Sequence, residues 1–324
     1  MKPIRNKREQ RERVALLKRI VKMTLTASIV LFLAVFFAFV PFRLMLPAYR
    51  IPERGEGELR LHFLGLGGGI TVVEFPDGEV LVVGAGDGSF AGDNVLCRYL
   101  RALDMTSLSV VAPSSSTLHV GGMPALFEVF DVKTAYLPAM SAQTGAYGRF
   151  LKAVQNEHCQ TEQLSRYGVI ANSSGAYAVC LSPYSSEEED VTAAESSAVL
   201  YLSYEGVGIM LSGDVTQKRE NALMREYELW NGIFDKGQFQ VRLENTQILL
   251  TSSHGSDVGS SAGWLSLMQP STSVVCCNQD LRPSDSALRR ITGYSGGVYR
   301  TDELGALMIT VKNGGHEILA NALR

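Results

Sequence analysis

Residues 58–89 read ELRLHFLGLGGGITVVEFPDGEVLVVGAGDGS. Three short apolar runs stand in this stretch, at 58–64, 70–75 and 79–83. The first alternates with the two-residue period of a strand, and PDG between the second and third is a turn signal. The two glycine-rich stretches test common nucleotide-binding readings. GLGGG (65–69) has Ile70 where a dinucleotide fingerprint needs its third glycine, and it joins two strands rather than a strand to a helix. GAGDGS (84–89) leads from a strand toward a helix but lacks the Lys-Ser/Thr ending of a phosphate-binding loop. Both read as tight turns, where glycine takes positive φ freely.

Working outward, the pattern changes from hairpins to alternation. A helix is expected near 93–103, a buried strand at 108–112, a helix at 122–131, a strand at 133–138 and a helix at 145–156. Strands at 176–182, 198–204 and 207–212 follow, then a helix over 217–230. Strands at 247–252, 273–277 and 306–311 enclose helices near 260–268 and 284–292. SSEEED (185–190) reads as a solvated acidic loop. Strands that begin in hairpins and then alternate with helices, twice over, suit two mixed sheets packed face to face with helices outside. The 324 residues are 46% apolar and 19% charged, a globular composition that excludes disorder as the main state. Five cysteines with no C-x-x-C exclude a disulfide framework of the small secreted kind. A Cys159–Cys180 bridge is conceivable outside the cytoplasm, but spacing alone does not establish it.

Ahead of this body, residues 1–22 carry nine Lys/Arg and two acids, and residues 23–42, MTLTASIVLFLAVFFAFVPF, carry no charge. Twenty apolar residues as a helix span roughly 30 Å, the thickness of a hydrocarbon core. The expectation is therefore a single-pass anchor over 23–42, with a basic cytoplasmic segment at 1–22 and everything after the anchor extracytoplasmic. A cleaved signal peptide and a buried helix are the competing readings. Residues 43–57 form a tether, and 58–324 form the domain. Residues 23–324 hold 21 bases against 31 acids, a balance that does not favour nonspecific nucleic-acid binding.

In order and spacing the motifs LHFLGLGGG, EFPDG, LVVGAGDGS, HVGGMPALFEVFDV, LSYEGVGIMLSGD, SSHGS and VYRTDELGALMIT resemble the metallo-β-lactamase-fold domain of the ComEC proteins of bacterial DNA uptake. The resemblance covers about residues 58–312. It implies an α/β, four-layer αβ/βα sandwich, metals held by loops at the strand ends, and hydrolysis of phosphodiester or related bonds.

The departures from that pattern shape the functional expectation. The family's H-x-H-x-D-H motif falls on Ser114 to His119: two histidines are replaced by Ser114 and Ser116, the aspartate by Leu118, and His119 remains. Family aspartates fall on Gly65, Ile70 and Gly84, one histidine on Ser253, and a late histidine on Arg282. Asp214, the position of the metal-bridging carboxylate, and His254 are kept. A catalytic zinc takes three protein ligands and keeps one position open, and a serine hydroxyl is a poor substitute for imidazole or carboxylate. The leading expectation is a non-catalytic binding or scaffold module with a protein or small-molecule partner and vestigial ligands His119, Asp214 and His254. One alternative is a surviving hydrolase, either with a single Zn or Mn on those three residues or metal-free through Ser114, Ser116, His119 and Asp214. Another is a DNA-uptake accessory, which rests on family analogy alone.

Overall fold

The computed structural model describes residues 4–39, 51–141, 144–183, 195–235, 237 and 239–320. It divides into two compact units, Met1–Pro47 and Ala48–Arg324. In the first, one helix, α1, runs from Ile4 to Phe39. The anchor expected over 23–42 is corrected here, because no helix among the described residues is long and apolar enough to cross a membrane. Residues 40–42, the end of the expected anchor, lie outside the described residues. The single-pass placement and the extracytoplasmic domain fall with it. Most of the tether (43–50) and the acidic loop at 185–190 also lie outside the described residues.

The second unit is built on two large sheets. The first contains β1 (Leu59–Leu64), β2 (Ile70–Glu74), β3 (Val80–Val83), β4 (Ser107–Val111), β5 (Asp131–Leu137), β6 (Gln160–Gln163), β16 (Leu307–Lys312) and β17 (Gly315–Ala320), in the order β17-β16-β1-β2-β3-β4-β5-β6. The second contains β7 (Val169–Ser173), β8 (Ala176–Ser182), β9 (Val199–Tyr204), β10 (Val207–Leu211), β13 (Thr246–Leu250), β14 (Thr272–Val275) and β15 (Gly297–Arg300), in the order β15-β14-β13-β10-β9-β8-β7. A two-stranded ribbon pairs β11 (Phe234–Asp235) with β12 (Gln240–Val241).

Strand periodicity decides how the layers stack. On β1, Leu59, Leu61 and Phe63 point into a core shared with Ala178, Leu200 and Ile209 of the other sheet, while His62 and Leu64 turn the opposite way. That opposite face is covered by α2 (Phe90–Ala102), α3 (Thr117–Val120), α4 (Met123–Val129) and α5 (Gly145–Glu157). The outer face of the second sheet is covered by α6 (Gln217–Leu229), α7 (Ala262–Met268) and α8 (Asp285–Tyr294), with Trp264 and Leu223 among the residues buried there. The result is a mixed α/β sandwich of four layers, helices, sheet, sheet, helices, which matches the metallo-β-lactamase-type architecture that the resemblance implies.

Within each sheet the strands run parallel where helices intervene. β3 through β6 are parallel neighbours in the first sheet, and β10, β13, β14 and β15 are in the second. Their carboxyl ends therefore gather at one rim of the sandwich, the place where α/β sheets present loops to ligands. Cys276 and Cys277 follow β14 and enter different cores, one between the sheets and one under the helices. All five cysteines are free, so Cys159 and Cys180 are not bridged.

Candidate functional site

Each candidate side chain sits just past a strand end. β4 leads through Pro113 to a sharp corner where Ser116 starts α3; its Oγ accepts from Leu118 N at 3.3 Å, an N-cap bond. Ser114 Oγ accepts from Ser116 N at 3.3 Å. Both hydroxyls thus serve the backbone of their own turn, and neither hydrogen-bonds His119. The structure does not assemble the Ser/His/Asp arrangement considered above.

His119, one turn later, is buried and reaches across to the other sheet. Its Nε2 lies 2.7 Å from Asp214 Oδ2, with the two side chains 5% and 17% exposed. Asp214 is set by the turn after β10, where its N–H donates to Ser197 Oγ and its carbonyl accepts from Ser253 Oγ. Burial alone pushes the Asp214 carboxyl up, but the charge and hydrogen bond of His119 outweigh it and hold the group down at about 2. Burial likewise works against a charged His119, and Asp214 more than compensates, so the imidazole stays protonated above its ordinary range. A proton between Nε2 and Oδ2 makes this an ion pair that ties the two halves of the sandwich together.

His254 arrives from the loop after β13. Ser253 and His254 both have positive φ, 49° and 55°, followed by Gly255 at 75°. Two non-glycine residues in a row in that region are sterically costly and persist where surrounding bonds over-determine them. Those bonds are visible. Ser253 Oγ donates to Asp214 O at 2.9 Å. Glu220, fully buried on α6, accepts from Ser252 Oγ, Ser260 N and Ser261 N at 2.6–2.7 Å and so fixes both ends of the loop. His254 Nδ1 donates to Cys276 O at 3.0 Å. Its Nε2 lies 3.4 Å from Asp214 Oδ1 and has no hydrogen-bond partner. Burial, with His119 nearby, pulls the His254 pKa below its ordinary value despite Asp214. The His119 and His254 rings stack with centroids 6.3 Å apart.

The three residues line a small cavity that continues inward between the sheets past Val83, Leu200, Leu211 and Leu250. The space open to the centre of a water-sized sphere is about 30 Å³. Leu118 does not plug it: this residue is half-buried and its Cβ and carbonyl press on Gly68, one of the glycines at the rim. Arg282 is exposed and donates to Gln279 O.

The remaining ligand positions of the resemblance are filled by other groups. A Cβ on Gly65 would stand 2.3 Å from Cys277 O and 2.6 Å from Thr301 Oγ1, which already bond each other. Gly84, at φ 70°, faces His119 Nδ1, a buried nitrogen with no hydrogen-bond partner; a Cβ there would lie 3.3 Å from it. The donors present do not fit a two-metal centre. His119 Nε2 is spent on Asp214, both serines are turned to backbone, and among the described residues no group of three or more His, Cys, Asp and Glu side chains is placed to hold a metal ion.

Two polar groups of consequence have no sequence motif. Glu220 sits inside an otherwise ordinary amphipathic helix, and only its invisibility to solvent marks it. His62 bridges Tyr99 OH (2.7 Å) and Glu74 Oε1 (2.6 Å) beneath α2. A clue to the second was legible: His62 and Glu74 are polar residues within runs otherwise fit for buried strands.

A two-sheet sandwich with its pocket at the parallel strand ends matches the metallo-β-lactamase-type fold. No protein-family model matches the chain, and no curated protein matches it in sequence. Solved structures are similar in shape. The metallo-beta-lactamase fold protein YhfI from Bacillus subtilis aligns over 81% of this chain and 100% of its own, at 10% identity and a TM-score of 0.47. Igni18, a metallo hydrolase from Ignicoccus hospitalis, aligns over 79% of this chain and 99% of its own, at 10% identity and a TM-score of 0.45. CmlA, a diiron beta-hydroxylase from Streptomyces venezuelae, aligns over 81% of this chain but 55% of its own, at 11% identity and a TM-score of 0.47, so this chain spans about half the length of that protein. Likeness at this level carries no activity from those proteins to this one.

Proposed function

We propose that this protein is a non-catalytic, ComEC-type relative of the metallo-β-lactamase-fold hydrolases, in which the former metal pocket serves binding or scaffolding. The observation that carries the reading is the His119–Asp214 pair at 2.7 Å. It commits to each other two groups that a hydrolytic metal centre would need free. Supporting it, Ser114 and Ser116 cap their own turn, and Thr301 with Cys277 O occupies the space beside Gly65. A binuclear hydrolase needs two metals about 3.5–4 Å apart, each with its own donors; the donors here stabilise one another instead.

The test is hydrolysis by the full chain of bis(p-nitrophenyl) phosphate and p-nitrophenyl acetate, with zinc or manganese supplied and with chelator. The expected result is no rate above buffer under any condition. A metal-dependent rate that His119→Ala abolishes would overturn the proposal, and a metal-free esterase rate lost in the Ser114→Ala/Ser116→Ala double variant would overturn it as well.

A further inference from the structure

Strand β17 ends the first sheet, with β16 on one side and no strand among the described residues on the other. The hairpin that makes it fixes which groups it leaves free. Lys312 and Gly315 close a two-residue loop, and Asn313 and Gly314 both have positive φ, 54° and 71°, the pattern of a type I′ turn. The closing pair of such a hairpin exchanges both of its backbone bonds, and the pattern alternates from there. Gly315, Glu317 and Leu319 therefore bond β16, while the N–H and C=O groups of His316, Ile318 and Ala320 point away from the sheet. On the inner face His316 reaches Thr272 Oγ1 of the other sheet at 2.8 Å, and Ile318 and Ala320 pack on the core between the sheets while staying half-buried. The other edges are guarded. β6 is polar and exposed at every position, β7 breaks register against β8, and β15 has only four residues. These are common devices against strand addition. β17 has six residues in unbroken register, with no proline or lysine among them.

From this edge, independently of the pocket, we propose that β17 pairs antiparallel with β17 of a second copy of this chain about a two-fold axis through Ile318, so that the first sheet runs on from one copy into the other. An antiparallel strand paired with itself is an isologous contact, which two copies satisfy and close. Only one register pairs all three outward-facing residues. It sets Ile318 opposite Ile318 of the second copy and His316 opposite Ala320 in both directions, and each pair exchanges two N–H···O bonds. The side chains agree with it. The two Ile318 side chains meet across the axis on the inner face and continue the core between the sheets from one copy into the other. On the outer face the exposed Glu317 stands opposite the half-buried Leu319 of the second copy. A register centred on Glu317 would set two carboxylates directly opposite each other, which is destabilising, and would leave Ala320 facing the turn. A foreign strand would have to supply these matches; a second copy brings them with its own sequence.

Sedimentation equilibrium of the full chain, with Ile318→Lys run beside it, is the experiment. The expected result is a two-copy mass for the parent at micromolar concentration, and association at least tenfold weaker in Ile318→Lys, which places a charge on the inner face of the edge. Should that variant not fold, cysteine substitution decides. Residues opposite each other in a hydrogen-bonded antiparallel pair have Cα atoms about 5.5 Å apart, within disulfide reach, so Ile318→Cys should cross-link two copies in oxidised glutathione well above the level of the parent. Glu317→Cys, whose counterpart is a diagonal neighbour about 7–8 Å away, should stay at the parent's level. A monomeric parent, an association that Ile318→Lys leaves unchanged, or cross-linking at 317 in preference to 318 would overturn the proposal.

Discussion

Replacing Asp214 separates the clamp between the sheets from every other contribution to stability. Its Oδ2 lies 2.7 Å from His119 Nε2, with both side chains largely buried. At an effective dielectric of about 20, two unit charges at that distance attract by about 6 kcal/mol, and desolvating them returns several kcal/mol of it. Removing one partner is costlier than the net worth of the pair, because the other remains buried without an acceptor. Asp214→Ala should therefore cost about 3–5 kcal/mol. Asp214→Asn keeps an amide oxygen for the Nε2 proton and loses only the charge, so about 1–2 kcal/mol is expected.

The pH dependence follows from the two directions of shift. Asp214 is depressed from 3.8 to about 2, so its contribution is complete above about pH 4 and is lost as the pH falls toward 2. His119 is raised above 6.5, so its contribution is complete below about pH 6.5 and is lost as the pH rises through the folded-state value. The penalty of Asp214→Asn should be largest between about pH 4 and 6.5 and should shrink by pH 9. The lowered pKa of His254 subtracts stability below pH 6.5 in the parent, and more so in the variant, which lacks the Asp214 charge that holds it up. Urea unfolding of the full chain, followed by the fluorescence of the fully buried Trp264, reads these differences. An Asp214→Ala cost below about 0.5 kcal/mol, or an Asn penalty that is the same at about pH 5.5 and pH 9, would refute the clamp.

Three further outcomes follow from the geometry around it. Glu220→Gln places an amide N–H₂ against a backbone N–H that Glu220 now accepts, so it should cost about 1–3 kcal/mol and speed hydrogen exchange at Ser260 or Ser261; protection equal to the parent's would contradict the anchoring role. Gly65→Asp, which restores a family carboxylate, meets the Cys277 carbonyl and Thr301 at under 3 Å and should destabilise by about 3 kcal/mol or more without gaining metal; a stable variant that takes up zinc would show that the position is still open. In the native chain Cys159, the one half-buried thiol, should react first with iodoacetamide, whereas Cys180 and Cys276, whose burial pushes them to about 12, should stay unmodified on the same timescale by mass spectrometry.

Much of the sandwich was legible because its central strands are fully apolar and bounded by turns. The runs at 70–75, 79–83, 198–204 and 207–212 became β2, β3, β9 and β10 within a residue or two. The edges were not legible. β6 reads QTEQ with every residue exposed, and β17 reads GHEILA without a clean alternation; such strands form because a neighbour offers a free edge, not because their own pattern demands it. The helix expected over 122–131 begins earlier, as α3 and α4, since Ser116 caps a turn that periodicity does not reveal. At the site, the structure brings His119, Asp214 and His254 into one pocket, and residue identity could not show how their atoms are used. That Asp214 Oδ2 is spent on His119, that Ser253 and His254 are held at positive φ, and that Thr301 fills the space beside Gly65 are facts of three-dimensional contact between segments more than 20 residues apart. The apolar run at 23–42 misled because composition measures the run alone, whereas no helix among the described residues is long and apolar enough to cross a membrane.

The central claim is that these donors are committed to each other and to the backbone, which leaves no seat for a catalytic metal. Elemental analysis of the purified full chain, after incubation with zinc or manganese and removal of unbound ion, tests it most directly. Well under one ion per chain is expected, unchanged by Asp214→Asn; one or two tightly held ions per chain, lost in that variant, would show that the seat is still open.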